Sequence, residues 1–282
     1  MSIQCIVLDF DGTFSDVEAE AAPFLPLYRR DVFDLLGRSA AAAWEREEER
    51  IRAEPGRFGW EYRGTIVAPA NADPFLRSTV VAQNLCELFG VLENRELRSE
   101  LLDAIYRRNY VHTQPVLRPE ARTVIEGLVA LGLPIYVVTN AATAAVQKKL
   151  RLSAPEAAER LTVIGDARKF EVREPRSADA RFDGLPSELE VPGLRRGVQL
   201  RRGAYFEAFA RIWEETGAAP AETLVCGDIF ELDLAMPLAL GAHVHLVTRP
   251  DTPEYEQAFL RSQAPRGGVS GDLGALLQRV RG

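Results

Sequence analysis

The sequence predicts an α/β fold: a doubly wound parallel sheet with a separate helical domain inserted after its first strand. Three observations predict it. Short runs rich in Ile, Val and Leu recur along the chain, and each ends in polar residues. Beyond residue 117 these runs alternate with amphipathic helical patterns, and a long helical stretch separates the first run from the rest. Strands buried on both faces read as unbroken apolar runs, and strand–helix alternation places helices on both faces of a parallel sheet.

Ile3 to Phe10 is the first predicted strand, and it runs into Asp9-Phe-Asp11-Gly12-Thr13. Residues 15–116 then carry helical patterns over Leu27 to Arg52, Pro74 to Phe89 and Glu93 to Tyr110, with hinges expected near Ser15 and Pro115. Trp44 to Arg50 reads there as a solvated, charge-rich face. Glu120 to Ala130 is a helix closed by Leu131-Gly132, and Leu133 to Asn140 is a second strand followed by a helix over Ala141 to Leu152. Leu161 to Gly165 is a weaker third strand. Arg173 to Arg202, rich in Gly, Pro and charge, reads as an extended hairpin between Phe170 to Val172 and Val198 to Leu200, or as a long loop. Ala204 to Thr216 is a helix with Gly217 as its C-cap. Thr223 to Cys226 and His243 to Thr248 complete five strands. The expected division is a core of residues 1–14 and 117–282, with 15–116 as the helical insert.

Composition excludes several classes. Over 282 residues, 46% hydrophobic and 27% charged residues describe an ordinary globular chain rather than a disordered one. A formal charge of -7 offers no polyanion surface, so nucleic acid is not an expected partner. No leader precedes Ile3 and no apolar run is long enough to span a bilayer, so a cytoplasmic, membrane-free protein is expected. Cys5, Cys86 and Cys226 lack paired metal-ligand spacing; Cys5 and Cys226 fall inside strands and read as buried thiols. Lysine occurs only at Lys148, Lys149 and Lys169, which narrows any search for a catalytic lysine.

Asp9 and Asp11 stand one residue apart at a strand's carboxyl end, where open α/β sheets bind ligands. Two such carboxylates repel, and a divalent cation resolves the conflict; oxygen ligands of this kind suit Mg²⁺. Gly12 permits a sharp turn and Thr13 can satisfy backbone groups within it; a plain polar turn is the alternative. Gly227-Asp228, with Asp233 five residues on, puts a second carboxylate pair on the same edge, helix capping being the bland role for Asp233. Thr139 and Asn140 end a strand and open a helix, which suits a phosphate or simply an N-cap. His243 and His245 share one face of the fifth strand but lack a third ligand, and read as core or edge histidines.

Together these residues resemble the haloacid dehalogenase-like superfamily. Asp9 to Thr13 matches its first motif, Thr139 its second, and Gly227-Asp228 with Asp233 its fourth; the likeness covers residues 1–14 and about 117–250. The resemblance implies a Rossmann-like core, with 15–116 as a helical cap. It implies Asp9 as nucleophile on phosphorus, Asp11 as acid and then base, and Mg²⁺ held by Asp9, Asp228 and the backbone carbonyl of Asp11. Thr139 would bond a phosphoryl oxygen, and Asp233 would hold the basic group or the metal's waters. Gly12, Thr13, Asn140 and Arg201 are further candidate phosphate-binding positions.

The third motif departs from the family pattern. Arg201 and Arg202 occupy the place expected for a lysine, while Lys169 lies upstream and is the favoured candidate; Lys148 and Lys149 are expected to be exposed. Dehalogenase members lack an acid at the second aspartate, so Asp11 implies phosphate chemistry. The expected function is Mg²⁺-dependent hydrolysis of a small phosphorylated metabolite. A phosphotransferase or mutase, or a weakly catalytic binding module, is the alternative. Tyr28, Arg29, Arg30, Trp60, Tyr62 and Arg63 are open between cap packing and contact with a leaving group. Oligomeric state is not predicted.

Overall fold

The computed structural model describes residues 2–37 and 40–281. The first apolar run forms β1 (Cys5–Leu8), buried at all four positions. The chain then leaves the sheet for α1 (Val17–Ala21), α2 (Phe24–Leu36), α3 (Ala40–Ala53), the hairpin β2 (Gly59–Tyr62) and β3 (Thr65–Pro69), α4 (Pro74–Leu88) and α5 (Arg95–Tyr110). These helices pack around a cluster of their own, which includes Phe24, Tyr28, Trp44, Val81, Leu85 and Leu102.

The predicted helix over Leu27 to Arg52 is two helices. Gly37, at φ 91°, ends α2 in backbone that other residues rarely adopt. The stretch from Trp44 is solvated at Glu45, Arg46, Glu49 and Arg50, but Trp44 and Glu47 are buried, and Glu47 accepts from Asn84 Nδ2 of α4 at 2.6 Å.

The return brings α6 (Ala121–Val129), β4 (Ile135–Val138), α7 (Thr143–Ser153), α8 (Pro155–Ala158), β5 (Thr162–Ile164), α9 (Ala180–Asp183), β6 (Glu188–Leu189), β7 (Val198–Gln199) and α10 (Gly203–Thr216). Then follow β8 (Thr223–Gly227), a π-helical turn over Phe230–Leu234, α11 (Ala235–Ala239), β9 (His243–Val247), α12 (Glu254–Ser262), β10 (Gly267–Ser270) and α13 (Ala275–Arg281). The main sheet is parallel throughout, in the order β10-β9-β8-β1-β4-β5. Successive strand residues alternate between two clusters. Cys5, Val7, Val138 and Val225 face α10, while Ile6, Leu8, Val137 and Leu224 face α6 and α7. The sheet is therefore wound on both faces. No helix among the described residues is long and apolar enough to cross a membrane.

The hairpin in the irregular stretch pairs β6 with β7, not Phe170 to Val172 with its partner; near its base only Arg173 bridges Arg202. Its Phe182, Leu185, Val191, Val198 and Leu200 are buried in the same cluster as Phe206 and Phe209 of α10, which anchors this stretch to the core. The two crossings between core and insert run side by side. Ser15 bridges Leu117, and Asp16 N donates to Val116 O at 2.8 Å. β1 lies between β4 and β8, so the order reverses beside it and the carboxyl ends of three strands adjoin there.

Candidate active site

The three adjoining strand ends deliver Asp9, Thr139 and Asp228 to one place. Asp9 N still donates to Cys226 O at 2.8 Å, so the ladder holds the residue after β1 beside β8. The chain then turns at Gly12, whose φ is +87°; a Cβ there would stand 2.2 Å from Asp228 Oδ2. Both the backbone angle and the approach of Asp228 thus require glycine. At Gly227 the close approach alone requires glycine: Asp233 Cβ would lie 2.4 Å from an added Cβ. Thr13 Oγ1 lies 3.1 Å from Asp9 Oδ2 and 3.3 Å from Asp228 Oδ1, and its single proton serves one at a time.

Lys169 completes the group. Its Nζ donates to Asp9 Oδ1 at 2.7 Å and Asp233 Oδ1 at 2.8 Å, and only 1% of its side chain is exposed. Asp233 also takes Ile229 N on Oδ2 at 3.0 Å, closing its own π-turn, while Tyr205 Oη donates to its carbonyl at 2.9 Å. Burial pushes the Asp9 carboxyl well above the usual range; Lys169 pulls it down, and Asp233 and Asp228 push it up again. Asp228 is pushed up to about 7, chiefly by burial; Arg249 opposes this and Asp233 adds to it. For Lys169, burial works against the charge, but Asp233 and Asp9 outweigh it and hold the ammonium well above its ordinary pKa.

Ligand oxygens of Asp9, Asp228 and Asp233 lie within 4.8 Å of one another. Asp228 Oδ2 is buried with no hydrogen-bond donor: Arg249 Nε is 2.9 Å away, but not in hydrogen-bonding geometry. An all-oxygen set with an orphaned buried carboxylate oxygen fits a hard divalent cation.

A family model, haloacid dehalogenase-like hydrolase, matches residues 3–241. The chain belongs to this family. Solved structures share the fold of the hydrolase. YfnB of Bacillus subtilis, assigned as a HAD-hydrolase and solved bound to magnesium, is 17% identical, covers 100% of each chain and gives a TM-score of 0.52. A predicted phosphoglycolate phosphatase from Haemophilus somnus is 14% identical, covering 99% of this chain and 98% of its own, with a TM-score of 0.52. A haloacid dehalogenase-like protein from Bacteroides fragilis is also 14% identical, covering 98% and 100%, with a TM-score of 0.53. No curated protein matches the sequence.

Other expected site residues of the hydrolase lie differently. Asp11 turns its carboxylate away from the acidic trio: Lys149 Nζ holds Oδ1 at 2.7 Å, and Oδ2 sits 3.5 Å from Thr139 Oγ1. Thr139 Oγ1 also accepts Ala141 N at 3.1 Å. Asn140 does not offer its side-chain oxygen to a phosphate; Oδ1 accepts Lys169 N at 2.8 Å and so fixes the segment that carries the lysine.

Arg201 is a clear correction. It forks onto Glu174, at 2.7 and 2.5 Å, and stacks over Phe182 at 4.6 Å, outside the carboxylate group. Adjacent residues of extended chain point opposite ways, and Arg202 is the one turned inward. Arg202 is fully buried and donates to Lys169 O at 2.5 Å, Val67 O at 2.7 Å and Gln199 O at 2.9 Å. Burial lowers its pKa to about 10.

Lys149 is the second correction. Lys148 is exposed as expected, but Lys149 shares the helix face of buried Val146 and Leu150, and its ammonium bridges Asp11 and Glu20 Oε1, the latter at 2.9 Å. That shared face is the signal in the sequence that would have found it. Arg249, just past the end of β9, and Arg118, which donates to Gly12 O at 2.9 Å, were also missed; a basic residue beyond a strand's carboxyl end was the signal for Arg249. Of the insert residues left open, Tyr28 is buried in the insert's own cluster. Trp60 and Tyr62 pack on Phe170, next to Lys169, at centroid distances of 5.4 and 4.8 Å.

Proposed function

We propose that this hydrolase is a Mg²⁺-dependent phosphohydrolase that acts on a small phosphorylated metabolite through an aspartyl-phosphate on Asp9. The observation that carries the reading is Asp9 itself: a buried carboxylate beside two others, held by Lys169 and Thr13, with a fourth carboxylate, Asp11, two residues along at the same strand end. Asp9, Asp228 and the Asp11 carbonyl would hold the cation, with Asp233 close by; bound there, it would counter charge on the transferring phosphoryl group.

The chain's own groups supply the rest. Lys169 orients Asp9 and favours its ionised form, partly offsetting a burial that favours the protonated one. Thr139, at the end of β4, would bond a phosphoryl oxygen, with the start of α7 behind it. Asp11 would give a proton to the leaving oxygen and take one from the water that releases phosphate. A halide leaves without a proton, so an acid at this position favours phosphate esters. Residues 15–116 would form the cap over the strand ends, a placement supported by the ion pair between Arg77 of α4 and Asp251 beyond β9 at 2.7 Å.

The test is phosphate release from an aryl phosphate and a panel of metabolite phosphates, with and without Mg²⁺, beside Asp9→Asn. Release that needs Mg²⁺ and vanishes in Asp9→Asn is expected. Release that survives in Asp9→Asn refutes the nucleophile, and transfer to an added sugar without free phosphate refutes hydrolysis in favour of phosphotransfer.

A further inference from the structure

Lys149 contacts none of the acidic trio, yet only 12% of its side chain is exposed. Packing does not need its charge. It lies on the face of Val146 and Leu150, where an apolar side chain of equal length would fit without losing hydration. What the ammonium does is join two carboxylates, Asp11 at 2.7 Å and Glu20 at 2.9 Å.

Glu20 is in turn the meeting point of the two crossings between core and insert. Its Oε1 accepts Val116 N at 3.1 Å from the returning segment, and its Oε2 accepts Ser15 Oγ at 3.3 Å from the outgoing one. Ser15 Oγ accepts Gly12 N at 3.1 Å, and Arg118 of the returning segment donates to Gly12 O at 2.9 Å. The turn that carries Asp11 is therefore tied through its backbone to both crossings, and through Lys149 its side chain is tied to the same glutamate. With Oδ1 held by Lys149, the oxygen left facing Thr139 is Oδ2, at 3.5 Å.

We propose that Lys149 is a positioning residue for Asp11: it anchors Oδ1 so that Oδ2 faces the phosphoryl site, and through Glu20 it links that orientation to the register of the two crossings. The proposal rests on the reading of Asp11 as the general acid. A quarter-exposed aspartate without this anchor would populate rotamers that turn Oδ2 away from a leaving oxygen.

The test compares kcat/KM for p-nitrophenyl phosphate, whose leaving group departs readily without a proton, and for phenyl phosphate, whose more basic leaving oxygen needs one. In Lys149→Met, kcat/KM for phenyl phosphate is expected to fall by about tenfold to a hundredfold, and that for p-nitrophenyl phosphate by less than about threefold. Lys149→Arg, which keeps a charged donor, is expected to recover most of the loss. Melting temperatures accompany each variant; should Lys149→Met not fold, Lys149→Gln carries the same comparison. Equal losses on both esters, no loss on either, or a gain in rate would each overturn the proposal. Asp11→Asn is run beside them. If it shows no leaving-group dependence, or if the parent enzyme hydrolyses neither ester, the acid–base reading itself fails and takes the proposal with it. A split in Asp11→Asn without one in Lys149→Met refutes Lys149 alone.

Discussion

Replacing Lys169 with methionine tests how the buried charges are balanced. The substitution keeps most of the length of the side chain and removes the one cation among the described residues that pairs with both Asp9 and Asp233, at 2.7 and 2.8 Å. Removing one partner of a buried ion pair and leaving its carboxylates uncompensated costs about 3–5 kcal/mol. Spread over a chain of this size, that lowers the metal-free melting temperature by roughly 10 °C. Part of the loss should return with Mg²⁺, because a bound cation supplies the missing charge. The kinetic signature has a defined sign. Lys169 is the largest influence lowering the pKa of Asp9, so without it the nucleophile ionises at higher pH and the rising limb of the kcat/KM profile moves to higher pH. Differential scanning fluorimetry with and without Mg²⁺, followed by a pH–rate profile, reads both effects. A melting temperature within a degree or two of the parent, with an unmoved limb, would refute the ion-pair account of this site.

Gly12→Ala should weaken Mg²⁺ binding by calorimetry and lower stability by about 1–3 kcal/mol, since its Cβ would press on Asp228 Oδ2 from a backbone at φ +87°; unchanged affinity would show that the turn is less tight than described. Arg201→Ala should leave kcat/KM within about twofold of the parent, because its guanidinium is committed to Glu174 away from the carboxylates. A larger loss would return it to the phosphate site. His245 is buried with an unpartnered Nδ1, and burial lowers its pKa to about 4, below the ordinary 6.5. The unfolded chain therefore binds the extra proton first, and the stability this neutral histidine contributes is intact above about pH 6.5 and lost as pH falls toward 4. The loss is about 3 kcal/mol at most, and urea titrations of His245→Gln at pH 7 and 4.5 should show a smaller acid loss than the parent.

The sheet was legible because its central strands are buried on both faces. Cys5-Ile-Val-Leu8, Ile135-Tyr-Val-Val138 and Thr223-Leu-Val-Cys226 announce themselves as apolar runs, and each strand lies within its expected span or a residue beyond it. β10 carries no such run: Gly267-Gly-Val-Ser270 is an edge strand, paired on one side only, and its sequence gives little reason to expect it. The β2–β3 hairpin escaped for a different reason. Its turn, Arg63-Gly64, holds both residues at positive φ, 50° and 88°, a geometry usually marked by Asn-Gly or Asp-Gly. Arginine in that place hides the turn from a pattern search.

At the site, the division falls between residues that act by position in a strand and residues that act by reach. Asp9, Thr139, Asp228 and Asp233 are fixed within a few residues of strand ends, so topology alone brings them together. Lys149 arrives on a long side chain from a predicted helix, and Lys169 from a segment whose course the sequence does not specify. Lys169 reaches Asp9 because two residues just before it, Asp166 and Arg168, take left-handed backbone, at φ 51° and 46°, and because Asn140 and Arg202 then clamp its N–H and carbonyl. Nothing in the residue types Asp166 or Arg168 demands that conformation, and it costs about 1 kcal/mol or more at each. The bonds from Asn140 and Arg202, together with the attraction of Asp9 and Asp233 for the ammonium, offset it. The same two clamps explain why Asn140 looked like a phosphate ligand and why an arginine stands where a lysine was expected: polar residues and an arginine beside a strand end are what a phosphate pocket requires, and also what holding a lysine in a left-handed turn requires. Only the direction of their hydrogen bonds, inward to the backbone of Lys169 rather than outward to the open strand edge, separates the two roles.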